Sequence, residues 1–333
     1  MRAIQIADLT GPDSALRYVD LPEPEPIHPL SPNGEPAVVI DVHAAGVSFP
    51  EVLQTRGEYQ FRPPLPFVPG SEVGGLVRSA PPNAGLQAGD RVAAFTALGA
   101  FAEQAVAPAF FTFKLDDALD FGQGAGLILN YHTAYFALKT RGRLAEGETV
   151  LVHGAAGGVG TAALQVARGL GARTIAVVSS DAKARVAQEA GADHVVRSDG
   201  PWKDEAKEVS GGGVDLVLDP VGGDRFTDSL RSLREGGRAV VVGFTGGSIP
   251  EVRVNRLLLN NVDVVGAGWG AYAMGKPDYV RSVGEALGRL IDRGYVAPLV
   301  GARFAFDDAA SALRCIDARQ ATGKVVLDVR ETE

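Results

Sequence analysis

Three glycines in four positions, Gly157, Gly158 and Gly160, end the run Val150-Leu151-Val152-His153-Gly154-Ala155-Ala156-Gly157-Gly158-Val159-Gly160. An apolar strand that runs into glycines and then straight into a helix offers phosphate what it needs. Backbone N–H groups lie open, with no Cβ in the way, at the positive end of a helix dipole. Ala156, Gly157, Gly158 and Val159 are therefore read as a turn that receives a pyrophosphate, and Gly160 as the close contact between helix and sheet. A purely structural turn does not need that density of glycine. The choice of dinucleotide is made after the next strand, where an NAD site usually places an acid against the ribose 2′-hydroxyl. Here the chain reads Val178-Ser179-Ser180-Asp181-Ala182-Lys183. Ser179 and Ser180, followed by Lys183 and then by Arg197 and Ser198, suit a 2′-phosphate, so NADPH is expected. Asp181, one or two residues late for an NAD site, argues the other way.

Other reactive side chains are sparse. His153 ends an apolar strand and reads as a packed residue, His194 opens a strand and reads as exposed, and His132 stands next to Thr133 near the expected site. No Ser/His/Asp spacing and no Gly-x-Ser-x-Gly elbow suggests hydrolase chemistry.

The elements that must position these residues follow from pattern. The 333 residues, 46% hydrophobic and 22% charged, suffice for two domains with a core in each. Residues 37–42, 72–77 and 102–106 are short alternating runs between Pro/Gly turns, so the first third of the chain reads as β-rich. From about Phe121 strands and helices alternate. Strands are expected at Thr149–His153, Arg173–Val178, 194–196, 215–218, 238–242 and 262–265, and helices at 160–170 and 182–190. Such apolar strands separated by helices require a parallel, doubly wound sheet covered on both faces. The end of the chain, with helices at 277–293 and 306–318 and a strand at 323–329, breaks the alternation and is read as returning to the β-rich domain. The apolar stretch 257–265 is read as a strand at the sheet edge, where a symmetry mate would bury it.

The net charge of −8 repels nucleic-acid backbones and anionic membranes, and no apolar run is long enough to span a bilayer. Cys315 is the only cysteine, which excludes an internal disulfide and a Cys-rich zinc site. With no signal-peptide pattern at the start, the expectation is a cytoplasmic protein.

Several motifs together carry a resemblance: Ala45-Gly46-Val47-Ser48-Phe49-Pro50-Glu51, Arg56-Gly57-Glu58-Tyr59, Pro69-Gly70-Ser71-Glu72-Val73-Gly74-Gly75, Gly89-Asp90-Arg91-Val92, the glycine turn, and Gly323-Lys324-Val325-Val326-Leu327. Spread over essentially the whole chain, they resemble the medium-chain dehydrogenase/reductase superfamily, and within it the zinc-free, zeta-crystallin-like quinone oxidoreductases. The resemblance implies an α/β fold: a GroES-like β-rich catalytic domain (1–122 plus 272–333) and a Rossmann domain with a doubly wound parallel sheet (123–271), the acceptor lying in the cleft between them.

Zinc-dependent members hold catalytic zinc with a Cys near Val47-Ser48 and the His of a Gly-His-Glu turn. Here that turn reads Gly70-Ser71-Glu72, and the segment 93–101, where a four-Cys structural site would follow, has no cysteine. Zinc needs three or four N, S or O ligands, so no metal is expected. Without a Lewis acid to stabilise an alkoxide, reduction of an already electrophilic quinone or enone by a positioned hydride donor is the favoured chemistry.

The resemblance assigns Tyr59 a place beside the nicotinamide. It makes Ser48, where the family usually has Asn, the second candidate on the acceptor side. It places Thr133, Val242, Gly243, Phe244, Gly268 and Trp269 around the nicotinamide, and Phe49, Phe61, Phe67 and Trp269 as candidate apolar walls. A homodimer is expected on the same basis. Two other readings stay open. One is an enoyl thioester reductase, with Arg56 and Arg62 for a pantetheine phosphate. The other is a non-catalytic NADPH-binding protein with a structural or nucleic-acid-binding role, against which the acidic balance argues.

Overall fold

A computed structural model describes residues 1–330, which gather into two units. The first contains Met1–Leu129, Ala273–Gly284 and residues 298–330, and the second Asn130–Tyr272 and Glu285–Ala297.

In the first unit β1 (Arg2–Ile6) and β2 (Leu16–Asp20) form an antiparallel ribbon. Then follow β3 (Val38–Val47), β4 (Glu72–Ser79), β5 (Arg91–Phe95), β6 (Gln104–Ala107) and β7 (Thr112–Lys114). These are β-branched or alanine-rich runs broken by Pro and Gly, and their inward side chains, among them Ile40, Val42, Val73 and Val92, build one core with Phe101 and Leu313.

The second unit holds β8 (Thr149–His153), β9 (Arg173–Val178), β10 (His194–Arg197), β11 (Val214–Asp219), β12 (Leu233–Val241) and β13 (Asp263–Gly266). They lie in the order β10-β9-β8-β11-β12-β13, all parallel. β8 and β11 are buried at every position, as strands covered on both faces must be. The order reverses between β8 and β11, the place where doubly wound sheets bind ligands outside the carboxyl ends of their strands.

The chain then re-enters the first unit with β14 (Val300–Ala305) and β15 (Lys324–Asp328). The sheet there runs β14-β15-β3-β4-β5-β7, with β6 also on β3, so β15 is an interior strand. The doubly wound sheet and the β-rich unit completed by the chain's end are thus both present. One expectation needs correcting: residues 257–265 do not form one edge strand. Asn255–Asn260 is a helix, ended by Asn261 at φ +50°, and only Asp263–Gly266 pairs at the edge. Leucines 257–259 are unbranched at Cβ and favour helix, which apolarity alone does not distinguish from strand.

A Cβ on Gly160 would overlap the carbonyl of Gly154 and the backbone of Ala155, so the helix Gly158–Gly169 seats on β8 only with glycine there. Gly160→Ala is expected to lower stability by about 1–3 kcal/mol, read as a fall in thermal midpoint, with weaker dinucleotide binding as its companion. An unchanged midpoint would show that the turn has room to shift.

Candidate active site

In the second unit the glycine turn sits at the switch point. Gly154 takes a left-handed φ of +57°, the Gly157 N–H donates to its carbonyl at 2.9 Å, and Gly157 becomes the N-cap of the helix Gly158–Gly169. Gly158 has a second role that its motif does not reveal: a Cβ there would meet the Asn130 amide at 2.5 Å. Across the switch point Asp219 Oδ1 accepts from the N–H groups of Val221 and Gly222, at 2.8 and 2.9 Å, and shapes the turn after β11. The segment after β12 is tied to it by Val242 N–H to the Asp219 carbonyl and Thr245 N–H to the Pro220 carbonyl. Val242 and Gly243 thus line the same end of the sheet as the glycine turn, and Phe244 stands exposed beside them.

The residues read as 2′-phosphate ligands converge at the end of β9. Ser180 caps the helix Asp181–Glu189 by accepting from Lys183 N–H, and Lys183 Nζ reaches Ser179 Oγ at 3.4 Å. Arg197 donates to the Ser179 carbonyl at 3.1 Å and to Asp181 at 2.5 Å, with Asp199 on its other side. Asp181, the residue that argued for NAD, is therefore held in an ion pair with Arg197. Ser198 follows at the end of β10, its N–H on the Val178 carbonyl at 2.8 Å. Thr133 is buried in the helix Ile128–Tyr135. Trp269, also buried, stands edge-on to His132 with ring centroids 5.7 Å apart, and Gly268 before it is exposed.

Burial pushes His132 down to about 3 and His153 down to about 4, so both are neutral near pH 7. His153 bonds Ser229 at 2.8 Å and packs on Trp202. His194 is exposed.

The first unit holds a group that the motifs only hint at. β3 ends at Val47, and Ser48 begins the helix Phe49–Gln54, where Glu51 folds back to accept Ser48 N–H at 2.8 Å. Antiparallel register sets Val325 against Val47 and Val73 against Ala45, which brings the first residues of β15 and β4, Lys324 and Glu72, to the same sheet end as Ser48. Lys324 Nζ donates to Ser48 Oγ at 2.8 Å and is ion-paired with Glu72, both side chains being almost wholly buried. Glu72 also accepts from Leu129 N–H at 2.9 Å, and Ser71 Oγ donates to Glu51 at 2.9 Å. Gly46 makes the space: a Cβ there would strike the Ala125 carbonyl and lie 2.7 Å from both Glu72 Cγ and Lys324 Cε. Among the described residues no group of three or more His, Cys, Asp and Glu is placed to hold a metal ion.

Nearby, Tyr59 and Gln54 help line a small, open hollow whose walls include Leu9, Phe61, Leu65 and Phe67. Burial first, then the charge of Glu51, raises the Tyr59 phenol, which stays protonated as a donor. Arg62 Nε donates to the Tyr59 carbonyl at 3.2 Å, whereas Arg56 is taken up by a bidentate pair with Asp317 at 3.0 and 2.5 Å. Lys324, Glu72, Glu51 and Ser71 escaped notice as site residues. The available signal was a charged residue opening an otherwise apolar interior strand, in Lys324-Val325-Val326-Leu327 and Glu72-Val73-Gly74-Gly75.

Two family models match the chain: an alcohol dehydrogenase GroES-like domain over residues 34–117 and a zinc-binding dehydrogenase domain over residues 158–285. The chain is 37% identical over 320 residues to mouse quinone oxidoreductase-like protein 2, covering 93% of this chain and 91% of the relative. It is 31% identical over 332 residues to human quinone oxidoreductase, covering 98% and 97%. The quinone oxidoreductase of Thermus thermophilus, solved also in complex with NADPH, has a TM-score of 0.81 at 36% identity and covers 99% of this chain and 100% of its own. A GroES-like unit on a chain with a doubly wound parallel sheet, glycine turn at the switch point, defines a medium-chain dehydrogenase/reductase. Within that superfamily this oxidoreductase belongs to the quinone oxidoreductase branch.

Glu51 is the titrating member of the buried group. Desolvation raises its carboxyl from the ordinary carboxylate value of 4.5 to about 7, against the attraction of Lys324 and the Ser71 hydrogen bond. An acid whose folded pKa is raised holds its proton longer than the unfolded chain does. Its contribution to stability is therefore greatest below 4.5 and is lost as pH climbs towards 7, by about 3 kcal/mol at most. Glu51→Gln abolishes this titration. The stability of the variant relative to the parent is expected to rise between pH 4.5 and 7 and level off above, as denaturant titrations at a series of pH values would record. A pH-independent difference would place the carboxyl's titration elsewhere.

Proposed function

We propose that the protein is a zinc-independent, NADPH-dependent reductase that delivers hydride to a quinone or a related enone. The observation that carries this is the donor set at the end of β3. Ser48 and Ser71 are hydroxyls, and Glu72 is already paired with the Lys324 ammonium, a cation that cannot ligate a metal. These groups do not fit a zinc ion. An acceptor that is electrophilic without metal activation fits them better than an alcohol does.

NADPH, when bound, supplies hydride from C4 of its dihydronicotinamide. In this reading residues 123–271 form the cofactor domain. Ala156, Gly157, Gly158 and Val159 receive the pyrophosphate with backbone N–H groups. Ser179, Ser180, Lys183, Arg197 and Ser198 hold the 2′-phosphate, and the convergence of Lys183 and Arg197 on Ser179 supports that assignment. Thr133, Val242, Gly243, Phe244, Gly268 and Trp269 orient the nicotinamide. In the catalytic domain, residues 1–122 with 272–333, Tyr59 and Ser48 donate hydrogen bonds to the acceptor, and Phe61, Leu65 and Phe67 beside Tyr59 offer it apolar surface. The pairing of Arg56 with Asp317 weighs against the enoyl thioester reading, which asked Arg56 for a phosphate.

The leucines that left the sheet edge support a homodimer. Val254, Leu258 and Leu259 are each about three-quarters exposed, beside the open edge strand Asp263–Gly266. An apolar patch next to an unpaired edge is what a second copy would cover. No helix among the described residues is long and apolar enough to cross a membrane, and a cytoplasmic location remains part of the proposal.

With EDTA-treated protein and a 1,4-quinone, oxidation of NADPH is expected to outrun that of NADH and to be indifferent to the chelator. Lys183→Ala and Arg197→Ala should each raise KM for NADPH about tenfold while leaving KM for NADH nearly unchanged. Tight NADPH binding with no turnover of quinone or enone would sink the assignment. Sedimentation equilibrium is expected to give a dimer, and Leu259→Glu a monomer; a monomeric parent would end the edge-to-edge reading.

A further inference from the structure

We propose that Lys324 is a positioning residue that aims the Ser48 hydroxyl at the acceptor's oxygen, the buried ammonium doing there what a metal ion does in zinc-dependent relatives. The hydrogen-bond inventory of the group leads to this. A lysine ammonium only donates, so in the 2.8 Å contact Ser48 Oγ is the acceptor. A serine that spends a lone pair on a cation keeps its one O–H for another partner, and the neighbouring charge makes that O–H a stronger donor. Glu72 and Gly46 hold the ammonium where it is, the first by pairing with it and the second by leaving room for it. Lys324 and Glu72 are shut away from water, whereas Ser48 is only half-buried. Ser48 is thus the partly accessible residue that the buried charge touches.

The role deepens the reduction proposed above and rests on it. Bound NADPH would supply a hydride, electron pair included, whose C–H bond to the cofactor is exchanged for one to the electrophilic carbon of the acceptor. A π pair of the acceptor shifts onto its carbonyl oxygen, which the Ser48 O–H stabilises by hydrogen bonding as negative charge develops. A proton from water completes the product, Ser48 remains a neutral hydroxyl, and the oxidised cofactor departs.

The test reads the ammonium's influence at position 48 without any acceptor. In a Cys315→Ser background, Ser48→Cys places a thiol beside Lys324, and its titration is followed by thiolate absorbance. The charged and titratable groups around it are Lys324, Glu72, Glu51 and Tyr59, with the N-terminus of the short helix Phe49–Gln54 behind. The carboxylates push a thiol pKa up, and the protonated Tyr59 phenol adds no charge. Only Lys324 and the helix end pull it down, and Lys324→Met separates those two. The expected result is a thiol at least one unit below the ordinary value of about 8.5, moved up by a unit or more when Lys324→Met is added. A thiol at or above the ordinary value, or one that ignores Lys324→Met, overturns the proposal.

Turnover gives the second arm. Ser48→Ala is expected to lose on the order of a hundredfold in kcat, with the dissociation constant for NADPH unchanged, and Lys324→Met combined with it should lose little more. A Ser48→Ala enzyme within about threefold of the parent kcat also overturns the proposal, and this variant decides the matter if Lys324→Met does not fold. Should the parent reduce no quinone or enone, the reduction reading falls while the thiol titration still reports whether Lys324 governs position 48.

Discussion

A lysine and a glutamate buried side by side set the terms for the first unit. Taking an ammonium and a carboxylate out of water costs several kcal/mol per ion, and their attraction offsets this only when geometry and further hydrogen bonds are right. Lys324 and Glu72 meet those conditions through Ser48 Oγ and the Leu129 N–H. The pair demands that β15, β3 and β4 end at one level, that Gly46 stay without a side chain, and that the residue after β3 offer an oxygen. A slip of one residue in either pairing would turn these side chains to the opposite face and strand a charge in the core. The register of the interior of the sheet and the chemistry of its end are one constraint.

The second unit answers to a different demand. Its strands must be apolar on both faces, so polar work is confined to their carboxyl ends, where main-chain groups are released from the ladder. The glycine turn after β8, the Asp219 turn after β11 and the Val242 segment after β12 are held to a common level by backbone and Asp219 hydrogen bonds. The glycine turn and the Val242 segment offer N–H groups and small residues at that end of the sheet, and burial keeps both His132 and His153 neutral.

Legibility in the sequence follows the same division. The bounds of β8 and β9 could be read to the residue, because each has an unbroken apolar centre that stops at a turn, Gly154 after β8 and Ser179-Ser180 after β9. The helix Asn255–Asn260 could not, since three leucines satisfy helix and strand alike until a sheet edge decides between them. The glycine turn was visible because its signal is local, three glycines in four positions. The group around Ser48 was not, because its members stand at 48, 51, 71, 72 and 324 and meet only through register across the sheet. Tyr59 and Ser48 were singled out, but the residue that makes Ser48 interesting lies far along the chain. Gly158 likewise read as a phosphate contact alone, since nothing near it in sequence announces the Asn130 amide.

The placement of β15 between β14 and β3 also bears on how the molecule comes into being. During synthesis the second unit's strands emerge in succession and can pair as they leave the ribosome, whereas β3 must wait for a neighbour made after some 270 further residues. Until then the stretch Ala44–Val47 of β3 lacks its partner, Glu72 has no Lys324 to pair with and Ser48 has no cation beside it. The ribosome's product can therefore complete the parallel sheet of the second unit before the buried ion pair that closes the sheet of the first.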